Sequence, residues 1–341
     1  MSVKPSMIIR TPEPGEYEQV ITCIREARGS YYYDACYYDI DYLRGGGHEF
    51  FAAFNEDGEM MGVTGLSVAP FESEKTTLSI LNIRPSYTGR GIATGLLTYS
   101  TELLEARGAQ SVKGYTVTRY PSIQRVLENL GLIPTGVLTG IRNGYNATPV
   151  IHGKCALAIY ARSFTIQETG TLYVHTDAAG LAAKVYFDLG IKAEFKAAGK
   201  YGKSNVINHY HDAHDDVLLI QVTQSGCGLI ESLGELARQY RHSPQHLSCA
   251  PSGRSSCPDN NCGGYSSLAE LVFLSLNDPS AIYGYESLRD AGYHFCGFDP
   301  LGEFEHAVFF KGNIRSVKSE MTVCLASLIS EVNEVGYRDH A

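Results

Sequence analysis

A glycine-rich turn between an expected strand and an expected helix constrains the fold most strongly. The strand covers residues 76–83, the turn runs from Thr88 to Ala93, and the helix covers 94–107. Small residues let the backbone approach a ligand closely, and the N–H groups that begin a helix bind anionic oxygens. The arrangement therefore predicts a cradle for a phosphate or pyrophosphate group, in which Arg90 adds a charged contact. It carries neither the lysine and hydroxyl ending of a P-loop nor the full dinucleotide fingerprint.

The rest of the first half alternates strands and helices. Apolar residues at helical spacing follow Pro14, and a tyrosine-rich run at 31–42 predicts either a surface helix or the lining of a cleft. Further strands are expected at 6–10, 49–55, 61–68, 112–117 and 155–163, and a further helix at 122–130. The predicted order of elements is β-α-α-β-β-β-α-β-α-β.

The segment from Leu81 to Thr98 resembles the pantetheine and pyrophosphate segment of the GNAT N-acetyltransferases, in which Arg/Gln-x-x-Gly-x-Gly/Ala follows the fourth strand. This resemblance extends more loosely over about residues 6–163, and it implies an α/β fold with a mixed sheet and an acyl-CoA co-substrate, acetyl-CoA first. The residues that it assigns to the cofactor are Leu81, Ile83, Thr88, Gly89, Arg90, Gly91, Ile92, Ala93, Thr94 and Gln124.

The chain departs from the family pattern at three positions. Thr88 stands where Gln or Arg is usual, and Leu127 and Leu132 stand where the family has Tyr and Phe. The first departure affects one phosphate contact. The second removes the tyrosine that often protonates the leaving thiolate, because a leucine has no proton to give.

The resemblance implies direct attack of an amine on the thioester, with strand N–H groups around Leu81 and Ile83 polarising the carbonyl. An acid for the thiolate and a base for the incoming ammonium are then required. Tyr120 and Tyr115 are the candidate acids. Glu74 and His48 are the candidate bases, and a bound water chain or solvent serves equally well.

Length and charge limit the organisation and the partners. A chain of 341 residues predicts two domains, which we place at 1–164 and 165–341. The net charge of -9, with basic residues dispersed, argues against nucleic acid. The sequence has no apolar run long enough for a bilayer and no secretory signal after Met1, so we expect a cytoplasmic protein without membrane partners.

The second half is predicted to be another α/β unit, with Asp177 capping its first helix. Strands are expected at 205–210, 217–223, 268–276, 293–298 and 306–311, and helices at 177–189, 229–240, 280–291 and 317–332. We identified no glycine-rich cradle after a strand in residues 166–341. This half is therefore expected to be a degenerate GNAT-like domain that completes the acceptor pocket or forms a homodimer contact.

Two clusters in the second half contain metal-ligand residue types. One contains His209, His211 and His214, and the other contains Cys249, Cys257 and Cys262, in a long loop with two further histidines. Zinc binds such ligands, but the cysteine spacings contain no Cys-x-x-Cys knuckle. No metal site is assigned, and zinc stays an alternative. The odd count of nine cysteines does not favour a disulfide framework.

These observations lead to one main function and three alternatives. The main expectation is an acyl-CoA-dependent N-acyltransferase that acts on a small-molecule amine. The alternatives are transfer to a protein amino group, a non-catalytic acyl-CoA-binding module, and a metal-dependent enzyme built on the histidine and cysteine clusters.

Overall fold

The fold is a mixed α/β structure built on one large sheet, as the sequence predicts. The computed structural model describes residues 7–28, 38–45, 48–69, 71–118, 120–143, 154–212, 216–241, 268–312 and 321–337. The strands are β1 Ile8–Arg10, β2 Glu49–Phe54, β3 Met60–Ser67, β4 Thr77–Ile83, β5 Ser111–Val117, β6 Ile133–Asn143, β7 Lys154–Ser163, β8 Gln167–Tyr173, β9 Ile191–Lys196, β10 Val206–Asp212, β11 Val217–Gln224, β12 Ala269–Ser275, β13 His294–Asp299 and β14 His306–Lys311. The helices are α1 Tyr17–Arg28, α2 Ile40–Arg44, α3 Ile92–Ala106, α4 Pro121–Asn129, α5 Thr176–Asp188, α6 Leu229–Arg241, α7 Ala281–Asp290 and α8 Val323–Tyr337.

The strand order of the large sheet is β1-β2-β3-β4-β5-β7-β6-β13-β14-β12-β11-β10, and β8 and β9 form a separate parallel pair. Most neighbouring strands are antiparallel. The exceptions in the large sheet are β4 beside β5 and β11 beside β12, which are parallel. The sheet therefore runs through both halves of the chain, and the predicted boundary at 164/165 falls between β7 and β8.

The same strand pattern occurs twice, once on each side of the centre of the sheet. Outward from the centre, the first half runs β6-β7-β5-β4-β3 and the second half runs β13-β14-β12-β11-β10. In both series the third and fourth strands are parallel to each other. Helices α3 and α6 occupy the same connection in the two series, as do α4 and α7. These five strands and two helices of the second half thus repeat the topology of their counterparts in the first half.

The two halves join where β6 meets β13, and glycines allow the close approach. Gly136 lies opposite Gly297 in the register. A Cβ added at Gly297 would lie 2.5 Å from the Thr135 carbonyl oxygen, and one at Gly136 would lie 2.9 Å from that of Cys296. Since contacts below 3.0 Å do not occur for real Cβ atoms, the junction requires glycine on both strands.

Apolar side chains form buried clusters on both faces of the large sheet. One core cluster extends across both halves and contains residues of α3, α4, α5, α6, α7 and α8. On the other face of the first half, α1 packs through Val20, Cys23 and Ile24 against β2 and β3. These three residues recur at helical spacing, which is why the segment forms an amphipathic helix.

Most predicted elements match the structure to within a few residues. Strands β6, β8 and β9 were not predicted, and in β6 the residues Pro134 and Gly136 interrupt the alternating pattern. The cap prediction for α5 was wrong. His175 is the N-cap, its Nδ1 accepting from the Asp177 N–H at 3.3 Å, and Asp177 instead forms an ion pair with Arg289 at 2.9 Å. No helix in the described part of the chain is long and apolar enough to cross a bilayer.

Candidate functional site

The two parallel strands of the first half separate after a short paired stretch. Thr77 lies opposite Lys113 and Leu78 opposite Gly114, and the register of β4 and β5 ends there in the described residues. Ile80, two residues further along β4, has a φ of 50°, and the register of β3 and β4 shifts at the same place. This bulge bends β4 away from β5. The result is a wedge-shaped opening between the strands, which we call the wedge.

The backbone of β4 directs N–H groups into the wedge. The Arg84 N–H donates to the Met61 carbonyl of β3 at 3.0 Å. Because N–H groups alternate between the two edges of a strand, the N–H of Ile83 points to the opposite edge, which faces β5. Leu81 lies two residues before it, directly after the bulge. These are the two positions that the sequence assigned to polarisation of the thioester carbonyl.

The glycine-rich turn forms an open cradle at one end of the wedge. Gly89 and Gly91 have φ values of 75° and 82°, and Gly91 is the N-cap of α3. A Cβ at either glycine would meet nothing within 4 Å, so the space above the turn is open. The first bond of α3 runs from the Gly95 N–H to the Gly91 carbonyl at 3.0 Å. Earlier N–H groups of the first turn therefore have no helix carbonyl to bond.

Residues 92–94 supply those first-turn N–H groups, and the first turn of α3 contains no acidic residue. The cradle thus combines a helix N-terminus, two open glycines and the exposed side chain of Arg90. The Arg90 guanidinium lies over the Tyr87 ring at 5.2 Å from its centroid, which holds the cation beside the turn. The exposed Thr88 hydroxyl donates to the Pro85 carbonyl at 2.9 Å. Such a site suits an anion with several oxygens.

Arg28, which the sequence analysis did not single out, lies beside the wedge. Its Nε donates to the Asn82 side-chain oxygen at 3.4 Å, and its guanidinium lies 5.1 Å from the centre of the Tyr120 ring. Arg28 therefore links β4 to the residue that caps α4. A basic residue in the last turn of a helix is expected from the helix dipole alone, so its position in the sequence gave no functional signal.

The two candidate acids occupy different environments. Tyr120 is half-buried at the N-cap of α4. Tyr115, on β5, donates to Asp299 Oδ2 at 3.4 Å, and burial, together with the negative charge of Asp299, raises its pKa well above the ordinary value. A phenol with a raised pKa holds its proton more tightly, so Tyr115 is the weaker candidate for protonating a thiolate.

The candidate bases also differ. Glu74 is exposed in the loop between β3 and β4. His48 Nδ1 lies 3.4 Å from the hydroxyl of Ser79, the residue before the bulge at Ile80. Burial, helped by the charge of Lys75, lowers the His48 pKa to about 4, which makes the imidazole neutral at pH 7 but weakly basic.

Gln124 does not lie where a cofactor could reach its side chain. It is fully buried, its Nε2 donates to the Thr118 carbonyl at 2.6 Å, and its Oε1 accepts from the Thr322 N–H at 2.9 Å. Both ends of the amide therefore bind protein groups and connect α4 to the segment before α8. We remove Gln124 from the candidate cofactor site. Leu127, on the same helix, is buried in the main core cluster.

A buried ionic cluster lies at the base of the wedge. Lys113 Nζ lies 2.5 Å from Glu72 Oε1 and 2.9 Å from Asp299 Oδ1, and its side chain is fully buried. Burial alone would lower the Lys113 pKa, but Asp299 and Glu72 raise it overall. Burial raises the Glu72 pKa, with Asp299 adding to the rise. The available sequence signal was a lysine inside the predicted strand at 112–117, since a charge that becomes buried in a sheet needs partners.

The second half does contain a glycine-containing turn between a strand and a helix, at the position equivalent to the cradle. This corrects the expectation that residues 166–341 have no such turn. Gly226-Cys-Gly228 follows β11 and precedes α6, and Gly228 has a φ of 77°. Other residues of the chain occupy the space above this turn. The Gly226 N–H donates to Asn205 Oδ1 at 2.7 Å, and a Cβ at Gly226 would lie 2.8 Å from the backbone of Ser204.

The parallel strands of the second half also remain closed. Strands β11 and β12 pair continuously from Val217 opposite Ala269 to Val222 opposite Leu274. The positive φ of Ile80 has no counterpart within β11. Of the two repeated units, only the first has both an open turn and separated strands in the described residues.

The histidine cluster is partly described. His209 and His211 lie on β10, where both rings contact Tyr240 with centroids 5.7 and 5.1 Å away. His214 and the three cysteines of the long loop lie outside the described residues, as does most of the tyrosine-rich run. In the part of the chain that the structure describes, no group of three or more His, Cys, Asp or Glu side chains is arranged to hold a metal ion.

The wedge and the cradle both lie in the first half of the chain. Residues 17–131 match the family model described as the acetyltransferase (GNAT) family. Enzymes of this family transfer acyl groups and use acetyl-CoA. Comparison with curated proteins gave no match.

Solved structures similar to this chain include several acetyltransferases. The ribosomal-protein-S18-alanine N-acetyltransferase from Escherichia coli is 18% identical with a TM-score of 0.37, the match covering 47% of this chain and 95% of that one. An N-acetyltransferase from Staphylococcus aureus Mu50 is 16% identical, with a TM-score of 0.39 and coverage of 47% and 99%. A GCN5-related N-acetyltransferase from Kribbella flavida is 14% identical, with a TM-score of 0.37 and coverage of 46% and 98%.

Proposed function

We propose that the protein is an N-acyltransferase that moves an acyl group from acetyl-CoA, or another acyl-CoA, to the primary amine of a small molecule. The observation that carries this proposal is the open cradle at one end of a wedge into which β4 directs N–H groups. The cradle would hold the pyrophosphate through the N–H groups of residues 91–94 and through Arg90. The pantetheine arm would then extend along β4 into the wedge.

The chain supplies positioning and polarisation to this reaction. The N–H of Ile83, and that of Leu81 beside it, would donate to the thioester carbonyl and stabilise the negative charge that develops as the amine attacks. The amine nitrogen forms a bond to the carbonyl carbon, the carbon–sulfur bond breaks, and the CoA thiolate leaves. Tyr120 is the proposed proton donor to that thiolate, and the ammonium proton leaves through water or His48.

Calorimetric titration with acetyl-CoA, followed by a thiol-release assay over a panel of small amines, tests the proposal. We expect saturable binding and thiol release that depends on one class of amine. Binding without release from any small amine, or release only with a peptide that has a free amino terminus, would contradict the small-molecule assignment. Absence of binding would defeat the acyl-CoA assignment itself.

Tyr120→Phe is expected to lower turnover by about tenfold to a hundredfold while changing acetyl-CoA affinity less than about twofold, since general acid catalysis contributes on this scale. Steady-state kinetics measures the turnover, and calorimetric titration measures the acetyl-CoA affinity.

A matched control for this variant is Tyr99→Phe. Tyr99 is a half-buried tyrosine on α3 whose ring packs on Phe51 at 5.4 Å, away from the wedge. We expect it to turn over at the normal rate. A normal turnover rate in the Tyr120 variant would remove Tyr120 from the mechanism.

A further inference from the structure

The loop that leads into β4 is attached to the second half of the chain. Phe71 packs edge-on against Phe273 of β12 at 5.6 Å, and the Ser73 hydroxyl donates to Glu303 Oε1 at 2.5 Å. Between them, Glu72 reaches Lys113. Three consecutive residues before β4 therefore contact either the second half or the buried ionic cluster, whose third member, Asp299, belongs to the second half.

Lys113 occupies the position from which the wedge opens. It lies opposite Thr77 in the short paired stretch, and its backbone N–H donates to the Thr76 carbonyl at 3.1 Å. Any shift of Lys113 therefore moves the point at which β4 and β5 begin to separate. Its ammonium group binds two carboxylates. One is Glu72, in the loop before β4, and the other is Asp299, on β13 of the second half.

Asp299 holds β5 at two points. Its Oδ1 accepts from Lys113 Nζ at 2.9 Å, and its Oδ2 accepts from the Tyr115 hydroxyl at 3.4 Å. Lys113 belongs to the paired part of β5, whereas Tyr115 lies beyond the last paired residue, Gly114. One carboxylate of the second half thus fixes β5 on both sides of the point of separation. It is almost completely buried, so water does not compete for these bonds.

We propose that Asp299 is a positioning residue for the acyl-CoA site, through which the second half sets the width of the wedge. This inference rests on the proposed function, because it assumes that the pantetheine arm occupies the wedge. The second half, whose own equivalent turn and strands are closed, then contributes to the reaction by holding the open site of the first half in shape. The cradle lies at the N-terminus of α3 and does not contact Asp299.

The test compares two ligands that use different parts of the site. Acetyl-CoA requires both the cradle and the wedge, whereas 3′-phospho-ADP, its nucleotide portion, requires the cradle alone. Asp299→Ala is expected to weaken acetyl-CoA binding by about tenfold, equivalent to about 1.4 kcal/mol, and to change 3′-phospho-ADP affinity less than about twofold. Asp299→Asn keeps an acceptor for Lys113 and should recover most of the loss.

Glu270→Ala is the matched control. Glu270 is a buried carboxylate of the second half that binds Arg241 at 2.8 Å and accepts from the Tyr293 hydroxyl, away from the wedge. Its loss should lower stability without changing either affinity. Should Asp299→Ala fail to fold, Tyr115→Phe removes only the contact beyond the paired stretch and should shift acetyl-CoA affinity in the same direction by a smaller factor.

Equal weakening of both ligands by Asp299→Ala, no change in either, or the same selective loss in Glu270→Ala would overturn the inference. Failure of the proposed function has a different signature. In that case the unaltered protein itself would bind 3′-phospho-ADP no more weakly than acetyl-CoA, because the wedge would contribute nothing, or would bind neither.

Discussion

Replacing Gly91 with valine is expected to weaken acetyl-CoA binding by at least about a hundredfold, or about 2.7 kcal/mol, while the protein stays folded. Gly91 has a φ of 82° at the N-cap of α3, and a Cβ there projects into the open space above the turn. That is the space in which the pyrophosphate would lie. A branched side chain would therefore displace the ligand. Calorimetric titration of the variant measures the loss.

Gly108→Val separates this effect from backbone strain. Gly108 follows the other end of α3, has a φ of 80°, and also has nothing within 4 Å of an added Cβ. Both variants should lose a similar stability, about 1–2 kcal/mol for a left-handed residue with a side chain. Only the Gly91 variant should lose acetyl-CoA. Normal binding by Gly91→Val, or an equal loss in Gly108→Val, would contradict the cradle assignment.

The cradle could be predicted from the sequence because its signal is local. Positive φ values, a helix start and a phosphate-binding turn depend on residues adjacent in the chain, so the run from Thr88 to Ala93 carries nearly all of the information. The same local logic predicted that the helix would end at residue 107, and the structure ends α3 at Ala106, with Gly108 at a φ of 80°. Strands with regular alternation were predicted to within a residue or two for the same reason.

The features that the sequence did not disclose depend on distant pairs. Asp299 and Lys113 are separated by 186 positions, and no pattern near either residue identifies the other. Arg28 meets Asn82 and Tyr120 only because α1 packs across β4. The assignment of Gln124 to the cofactor failed similarly, since its partners Thr118 and Thr322 come from two different parts of the fold.

The turn at Gly226 shows how a local signal depends on its surroundings. The turns at Gly89 and Gly226 each follow the strand and precede the helix of the repeated unit, but they differ in what lies above them. Open space lies over Gly89, whereas Ser204 and Asn205 cover Gly226. A glycine-x-glycine turn therefore shows where a cradle can form, and the neighbouring chain decides whether a ligand can enter it.

Lys113→Met is expected to destabilise the protein by about 3–5 kcal/mol, the cost of leaving a buried charge without its partner. Methionine has nearly the volume of lysine, so packing changes little. Glu72 and Asp299 would then face each other in a buried site without the cation that offsets their repulsion. Urea denaturation at pH 7, followed by circular dichroism, measures the loss of unfolding free energy.

The size of that loss should depend on pH and on the two carboxylates. Removing the cation raises the pKa of Glu72 further above its ordinary value, and an acid with a raised pKa in the folded state destabilises the fold only while it is ionised. The deficit of Lys113→Met should therefore shrink as the pH falls. Adding Glu72→Gln and Asp299→Asn removes both charges and should recover most of the stability at pH 7. If the triple variant is no more stable than Lys113→Met alone, the lysine acts through packing, and the ionic account of the cluster is wrong.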